Sequence, residues 1–207
     1  MDQDIKCREN VIARLLKELS EKDAIIAHKD AVIATLESTV RHDPLTELYN
    51  RRGFSERLNQ MIGDQVRNGG TTYVAFVDLD DFKNINETYG HHTGDRMLQV
   101  IGRRMKAIVR QSDVVARFAG DEFMLALHFS EENADEEFTK FTARLLDEIK
   151  KPFLSGGNKM RVSASIGTAK YGLNKHINAK ELIDVADAAM FEIKHNGKDN
   201  FTIVPVE

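Results

Sequence analysis

At 207 residues, with 42% hydrophobic and 30% charged residues, the chain has the composition of a soluble globular protein with room for one ordinary domain and an appendage. A formal charge of -4 gives no long-range attraction for nucleic acid or anionic lipid, although a few local lysines or a metal can still hold a small anion. Cys7 stands alone, which excludes an intrachain disulfide and a cysteine metal site, and no apolar run nears the ~20 residues of a membrane span.

Residues 1–20 lack a signal-peptide core, so the expectation is a cytoplasmic protein without direct membrane contact. Residues 4–42 hold no Pro or Gly, and Ile5, Ile12, Leu19, Ile26, Ile33 and Val40 recur every seven positions. With Arg8, Leu15, Lys22, Lys29 and Leu36 as the matching positions, this predicts a coiled-coil helix over 1–42 that dimerises the chain. The plainer alternative is an amphipathic helix packed on its own domain. A second seam through Val11, Ile25 and Val32, again with Leu15 and Leu36, competes with the first. Two registers would make the helix bistable, whereas Lys22 and Lys29 snorkelling from one register would not.

Pro44 disfavours helix at Asp43 and ends the stalk. The pattern then predicts a helix over 51–66, a turn at "VRNGG", and a β-branched strand "TTYVAFVDLD" running into acid. Helices near 81–88 and 94–110 follow, then strands near 113–118 and 123–129 around an "AGDE" turn. A helix near 134–150 stops before Pro152, "MRVSASIGTAKY" alternates as one strand, 179–195 repeats as a helix, and 199–205 closes as a strand. Alternating strands and helices with one inserted hairpin predict a mixed central sheet with helices on its faces.

Asp78 ends a strand that is otherwise apolar from Val74 to Val77, where a ligand-binding acid belongs. Asp80, two residues on, is expected to serve a different purpose from Asp78. N-capping of the next helix accounts for Asp80 and Asp81, and accounts poorly for Asp78. Asp121 and Glu122 sit at a hairpin tip, where a solvated turn is the bland reading. With Asp78 they could instead hold a metal–triphosphate, since Mg²⁺ takes a few carboxylate oxygens and fills its shell with phosphate and water. Lys194 at a helix end and Lys198 just beyond Gly197 are ordinary dipole partners unless a phosphate needs them.

Taken together, "DPLTELYNRRGF", "DLDDFKNINETYGHHTGD", "AGDEF" and "ADAAMFEIKHNGKDN" resemble, in order and spacing, the motifs of the GGDEF domain of bacterial diguanylate cyclases, from about Asp43 to the C-terminus. The resemblance implies an α/β (α+β) palm-like nucleotide cyclase fold over 43–207, preceded by the coiled-coil helix. It implies that two GTP become cyclic di-GMP and two pyrophosphates at a site split between the subunits of a homodimer. By position, Asp78, the Leu79 carbonyl and Asp121 resemble the Mg²⁺ (or Mn²⁺) ligands, and Asp78, Asp121 and Glu122 the catalytic acids. Phe82 and Lys83 match the phosphate loop, Gly120 the signature turn, Lys194 and Lys198 the phosphate cations, and Asn86 and Asp95 the guanine readers. Arg110 and Asp113 of "RQSD" match the inhibitory site for the product, with Arg67 or Arg144 as a further arginine. An upstream sensor domain acting through the stalk fits the same picture, and no nucleic-acid partner does. A non-catalytic receptor for cyclic di-GMP is the competing class.

Three departures stand out. Ala119 replaces the first signature glycine, which matters if that residue needs φ > 0 or lies against nucleotide. Glu47 replaces a glycine in the opening motif, and Lys198 stands where an arginine is common.

Overall fold

Thr71–Leu79 forms strand β1 and is buried along almost its whole length, because helices cover both faces of the sheet around it. Its odd positions Tyr73, Ala75, Val77 and Leu79 enter one hydrophobic cluster, and Val74 and Phe76 enter the other. That is the two-residue alternation of an extended chain, and it carries Asp78 onto the side of Val74 and Phe76.

The computed structural model describes residues 17, 19–23, 25, 26, 28, 29, 40–129, 132–172 and 177–206. After helix α1 (Arg51–Asn68) and β1 come α2 (Phe82–Tyr89), α3 (His91–Ile108), β2 (Val114–Ala119), β3 (Glu122–Phe129) and α4 (Ala134–Lys150). A small hairpin, β4 (Phe153–Ser155) and β5 (Asn158–Met160), leads to β6 (Ala164–Tyr171), α5 (Ala179–His195) and β7 (Phe201–Val206). The main sheet has the order β2-β3-β1-β6-β7, antiparallel but for the parallel β6–β7 pair. Helices α3 and α4 pack on one face, α1 and α5 on the other.

The expected mixed sheet with flanking helices is therefore the fold observed. One expectation needs correcting: 160–171 is not one strand, since Met160 ends β5 and β6 begins at Ala164. The hairpin escaped notice because three-residue strands around Gly156 and Gly157 offer too few alternating positions to read.

Two local features fix α5, which matters for the site. Its N-terminus carries a reciprocal capping box, in which Asn178 accepts from the Glu181 N–H at 3.0 Å and Glu181 accepts from the Asn178 N–H at 3.2 Å. At Gly167 of β6, any Cβ would overlap the backbone of Ala186 and Met190, so the missing side chain lets α5 lie directly on the sheet. At the other edge, Tyr49 exchanges backbone bonds with Val115 and Arg117, which covers β2.

The chain divides into two compact units, Met1–Val40 and Arg41–Glu207. In the first, the described residues are helical, and Leu19, Ile25 and Ile26 are 57%, 54% and 55% exposed in the single chain. Lys22 and Lys29 are likewise exposed, whereas Ile5, Arg8, Val11, Ile12, Leu15, Val32, Ile33 and Leu36 lie outside the described residues. Among the described residues, no helix is long and apolar enough to cross a membrane.

Candidate active site

Helix α5 buries Ala186 and Met190 against the sheet, and Lys194 is the next residue along that stripe. It reaches the end of β1, where its Nζ lies 2.5 Å from Oδ1 of Asp78. Asp78 is only 5% exposed. The ammonium and the carboxylate form a close ion pair. On the adjoining strand, Glu122 is the direct cross-strand partner of Asp78, and the Leu79 N–H donates to the Asp121 carbonyl at 3.3 Å.

Burial pushes the Asp78 carboxyl up to about 6; Lys194 pulls it down, and the neighbouring Asp121 and Glu122 charges add to the rise. Burial also raises Glu122, helped by Asp121 and then Asp187. Three acids crowded beside one lysine make a site that gains from a divalent cation. Among the described residues, no three acidic, histidine or cysteine side chains converge on a metal position. The residues fit a hard cation that takes two carboxylates and a carbonyl here and draws its remaining oxygens from phosphate and water. The buried Asp78 carboxylate, crowded by the Asp121 and Glu122 charges, is the observation that favours it.

The signature turn holds no surprise at Ala119, which ends β2 with ordinary backbone, while Gly120 carries the positive φ of 50. The alanine thus adds no backbone strain. The capping role expected of Asp80 and Asp81 is not what the structure contains. Asp81 is the N-cap residue of α2 by position, yet it makes no capping bond and has φ 54. Asp80 is instead buried and bonded to Ser163 and Ser165.

Phe82 and Lys83 open helix α2 rather than lying in a loop. The Phe82 side chain is core, so only its backbone faces outward chemistry, and Lys83 is exposed beside Glu87 at 3.6 Å. Lys198 bonds Asp81 at 2.7 Å. Asn86 lies against Gly94, where a methyl would overlap its amide, and Gly94 precedes Asp95 just beyond the first turn of α3. Asn86 and Asp95 thus border one corner between α2 and α3.

Arg110 and Asp113 occupy a separate cleft of ≈ 590 Å³, shared with Phe129, Glu137, Lys140 and Arg144. Asp113 is buried and accepts the Arg110 N–H at 2.8 Å, while burial raises its carboxyl. Arg144 lines this cleft, whereas Arg67 pairs with Asp64 on α1. Sequence alone could not separate the two arginines, because their distance from residues 110–113 is set by how the helices pack.

Residues 40–200 match the family described as "Diguanylate cyclase, GGDEF domain". The chain belongs to this family. It is 39% identical over 163 residues, 77% of its length, to the bifunctional diguanylate cyclase/cyclic di-GMP phosphodiesterase MucR of Pseudomonas aeruginosa, and covers 23% of that protein. It is 35% identical over 187 residues, 90% of its length, to the cyclic di-GMP phosphodiesterase NbdA of the same organism, again covering 23%. The GGDEF chain thus spans about a quarter of the length of these curated relatives. Among solved structures, the P. aeruginosa diguanylate cyclase SiaD, in complex with its activator SiaC, superposes with a TM-score of 0.73 at 28% identity, over 98% of this chain and 78% of that one.

Proposed function

We propose that this GGDEF chain is a diguanylate cyclase that condenses two GTP into cyclic di-GMP and two pyrophosphates across a homodimer. The observation that carries the reading is the buried Asp78 facing Lys194, with Asp121 and Glu122 beside it at one end of the sheet. Asp78, the Leu79 carbonyl and Asp121 are the groups that would hold Mg²⁺ or Mn²⁺, which when bound neutralises triphosphate charge and lowers the pKa of the attacking 3′-hydroxyl.

The chain's own groups do the rest. The backbone amides that open α2, at Phe82 and Lys83, would face the β- and γ-phosphates, with Lys194 and Lys198 supplying charge. Asp95 accepts from the guanine N1–H and N2–H₂, a donor pattern adenine lacks, and Asn86 reads the same base. Asp121 assists deprotonation of the hydroxyl, and Glu122, whose carboxyl burial raises, stands beside it. Each 3′-oxygen attacks the other nucleotide's α-phosphorus as the bond to the β-phosphate oxygen breaks and pyrophosphate leaves. Two such steps close the ring.

Residues 1–42 supply the dimer in this reading. The exposed Leu19, Ile25 and Ile26 are the apolar surface that a second helix would cover, and an upstream sensor would act by setting how the two half-sites meet. The Arg110, Asp113 and Arg144 cleft is the product site, with two guanidinium groups for phosphate or guanine edges.

The test is GTP turnover with Mg²⁺, products identified by mass, beside Asp121→Asn and with or without a phosphodiesterase that removes product. Cyclic di-GMP from the wild type and none from the variant is expected, with slowing that Arg110→Ala and Arg144→Ala relieve. Binding of cyclic di-GMP without any turnover would replace the cyclase with a receptor.

A further inference from the structure

Asp80 is a buried acid that the proposed chemistry leaves unused. It is 5% exposed, and its oxygens are already occupied. Oδ1 accepts from Ser165 Oγ at 2.7 Å, and Oδ2 accepts from Ser163 Oγ at 2.6 Å and from the Asp199 N–H at 3.1 Å. Its own N–H donates to the Ser163 carbonyl at 2.9 Å. A carboxylate with three donors at these distances is satisfied without a metal.

Those donors join three parts of the chain: the end of β1, the entry to β6, and the turn after α5. The turn is the part that needs holding. Gly197, Lys198 and Asp199 have φ of 117, 61 and 52 in succession. Left-handed backbone is unfavourable for L-residues other than glycine, and two such residues in a row persist only when the surroundings hold them. The Lys150–Asp199 ion pair at 2.8 Å also reaches this turn, but both its side chains are 40% or more exposed, which makes it a weak fastener. The Lys198 N–H bonds back to the Ile193 carbonyl at 3.1 Å, which ties the turn to its own helix only. Among the described residues, Asp80 is the buried group that ties it to the end of β1. The result is that Lys198 projects over the first turn of α2, with Nζ 2.7 Å from Asp81.

We propose that Asp80 is a positioning residue: its carboxylate pins the left-handed Lys198–Asp199 turn against the end of β1 and so presents Lys198 to the triphosphate. The nucleotide half of this role rests on reading the site as a GTP site. The pin itself does not.

The test compares wild type, Asp80→Asn, Lys198→Ala and the double variant, with Ser163→Ala as a milder change should Asp80→Asn fail to fold. Hydrogen exchange at the Asp199 amide reads the pin without any ligand, and a non-hydrolysable GTP analogue titrated by calorimetry reads Lys198. Loss of Asp199 protection is expected in Asp80→Asn and, in part, in Ser163→Ala. Analogue affinity is expected to fall about tenfold in Asp80→Asn and in Lys198→Ala, and no further in the double variant. Unchanged protection overturns the pin. Losses that multiply in the double variant overturn the link to Lys198, and loss of Mn²⁺ binding in Asp80→Asn, read by electron paramagnetic resonance, would make Asp80 a ligand instead. If the wild type binds no analogue, the GTP reading falls while amide exchange still decides the pin.

Discussion

Arg117 clasps Asp43, with Nη1 3.1 Å from each carboxylate oxygen. The same guanidinium donates through Nε to the Gly120 carbonyl at 2.9 Å, so the segment that opens the second unit is tied to the signature turn. Burial works against the Asp43 charge, but the Thr46 hydroxyl and amide together with Arg117 outweigh it and hold the carboxyl below its ordinary value of 3.8. Arg117→Lys keeps the charge and loses the fork. It should cost about 1–2 kcal/mol at pH 7, read by urea unfolding. A depressed carboxylate stabilises above its unfolded pKa and loses that contribution as pH falls, so the deficit should narrow below about pH 4. A deficit independent of pH would show that packing, not the ion pair, is what Arg117 supplies.

Asp78 has the opposite sign. Its carboxyl is pushed up to about 6 by burial against the ordinary 3.8, so between those values the folded chain binds more protons than the unfolded one. Stability of the metal-free chain should fall as pH rises through that window, because the site must carry a charge it disfavours. Asp78→Asn removes that charge. In EDTA at pH 7.5 the variant should be more stable by about 2 kcal/mol, a gap that closes near pH 4, while turnover is lost. Equal stabilities at both pH values would mean that Lys194 already compensates the charge in full.

Glu47 has φ 61, a left-handed backbone that a glycine adopts freely. Glu47→Gly should stabilise the chain by about 1 kcal/mol, a rise of ~2–4 °C in Tm. His42 Nδ1 contacts the Glu47 carbonyl at 3.1 Å, a backbone contact that survives the change. A drop in Tm would place the unfolded-chain entropy of glycine above the strain it relieves.

How much of this could be read in advance follows from what kind of signal each residue leaves. Asp78 was legible because an acid ends an apolar strand; the separate role of Asp80 was not set by the pleat, since residues two apart share a face, and Asp80 leaves that face because β1 ends at Leu79. The purpose of Asp80 was not legible, since Ser163, Ser165 and Asp199 lie 83 to 119 residues away in sequence. Arg117 stood in plain sight before the signature, but its partner Asp43 is 74 residues off and only the docking of 42–50 beside β2 brings them together. Gly167 gave no sign at all. Its role is an absence of side chain under α5, visible only once helix and strand are packed.

Gly94 is the comparable case at the corner proposed to read the base. A methyl there would overlap the Asn86 amide, which is the tip of a side chain and can swing away. Gly94→Ala should therefore fold, yet weaken a GTP analogue about tenfold and narrow its advantage over the ATP analogue. Calorimetric titration of both analogues measures this. A loss shared equally by the two would assign Asn86 to the triphosphate or to general packing, not to guanine.

Lys194 stands 2.5 Å from Oδ1 of Asp78, a carboxylate that a metal would share in the proposed site. A divalent cation arriving alone must displace the ammonium, whereas one arriving with triphosphate gives the ammonium a new anionic partner. Metal and nucleotide should therefore assist each other's binding in the wild type. Lys194→Met removes the competitor and the phosphate contact together. It should bind Mn²⁺ alone severalfold more tightly, by electron paramagnetic resonance titration, and bind the GTP analogue without metal more weakly. A variant that weakens both would mean that Lys194 shapes the pocket without contesting its charge.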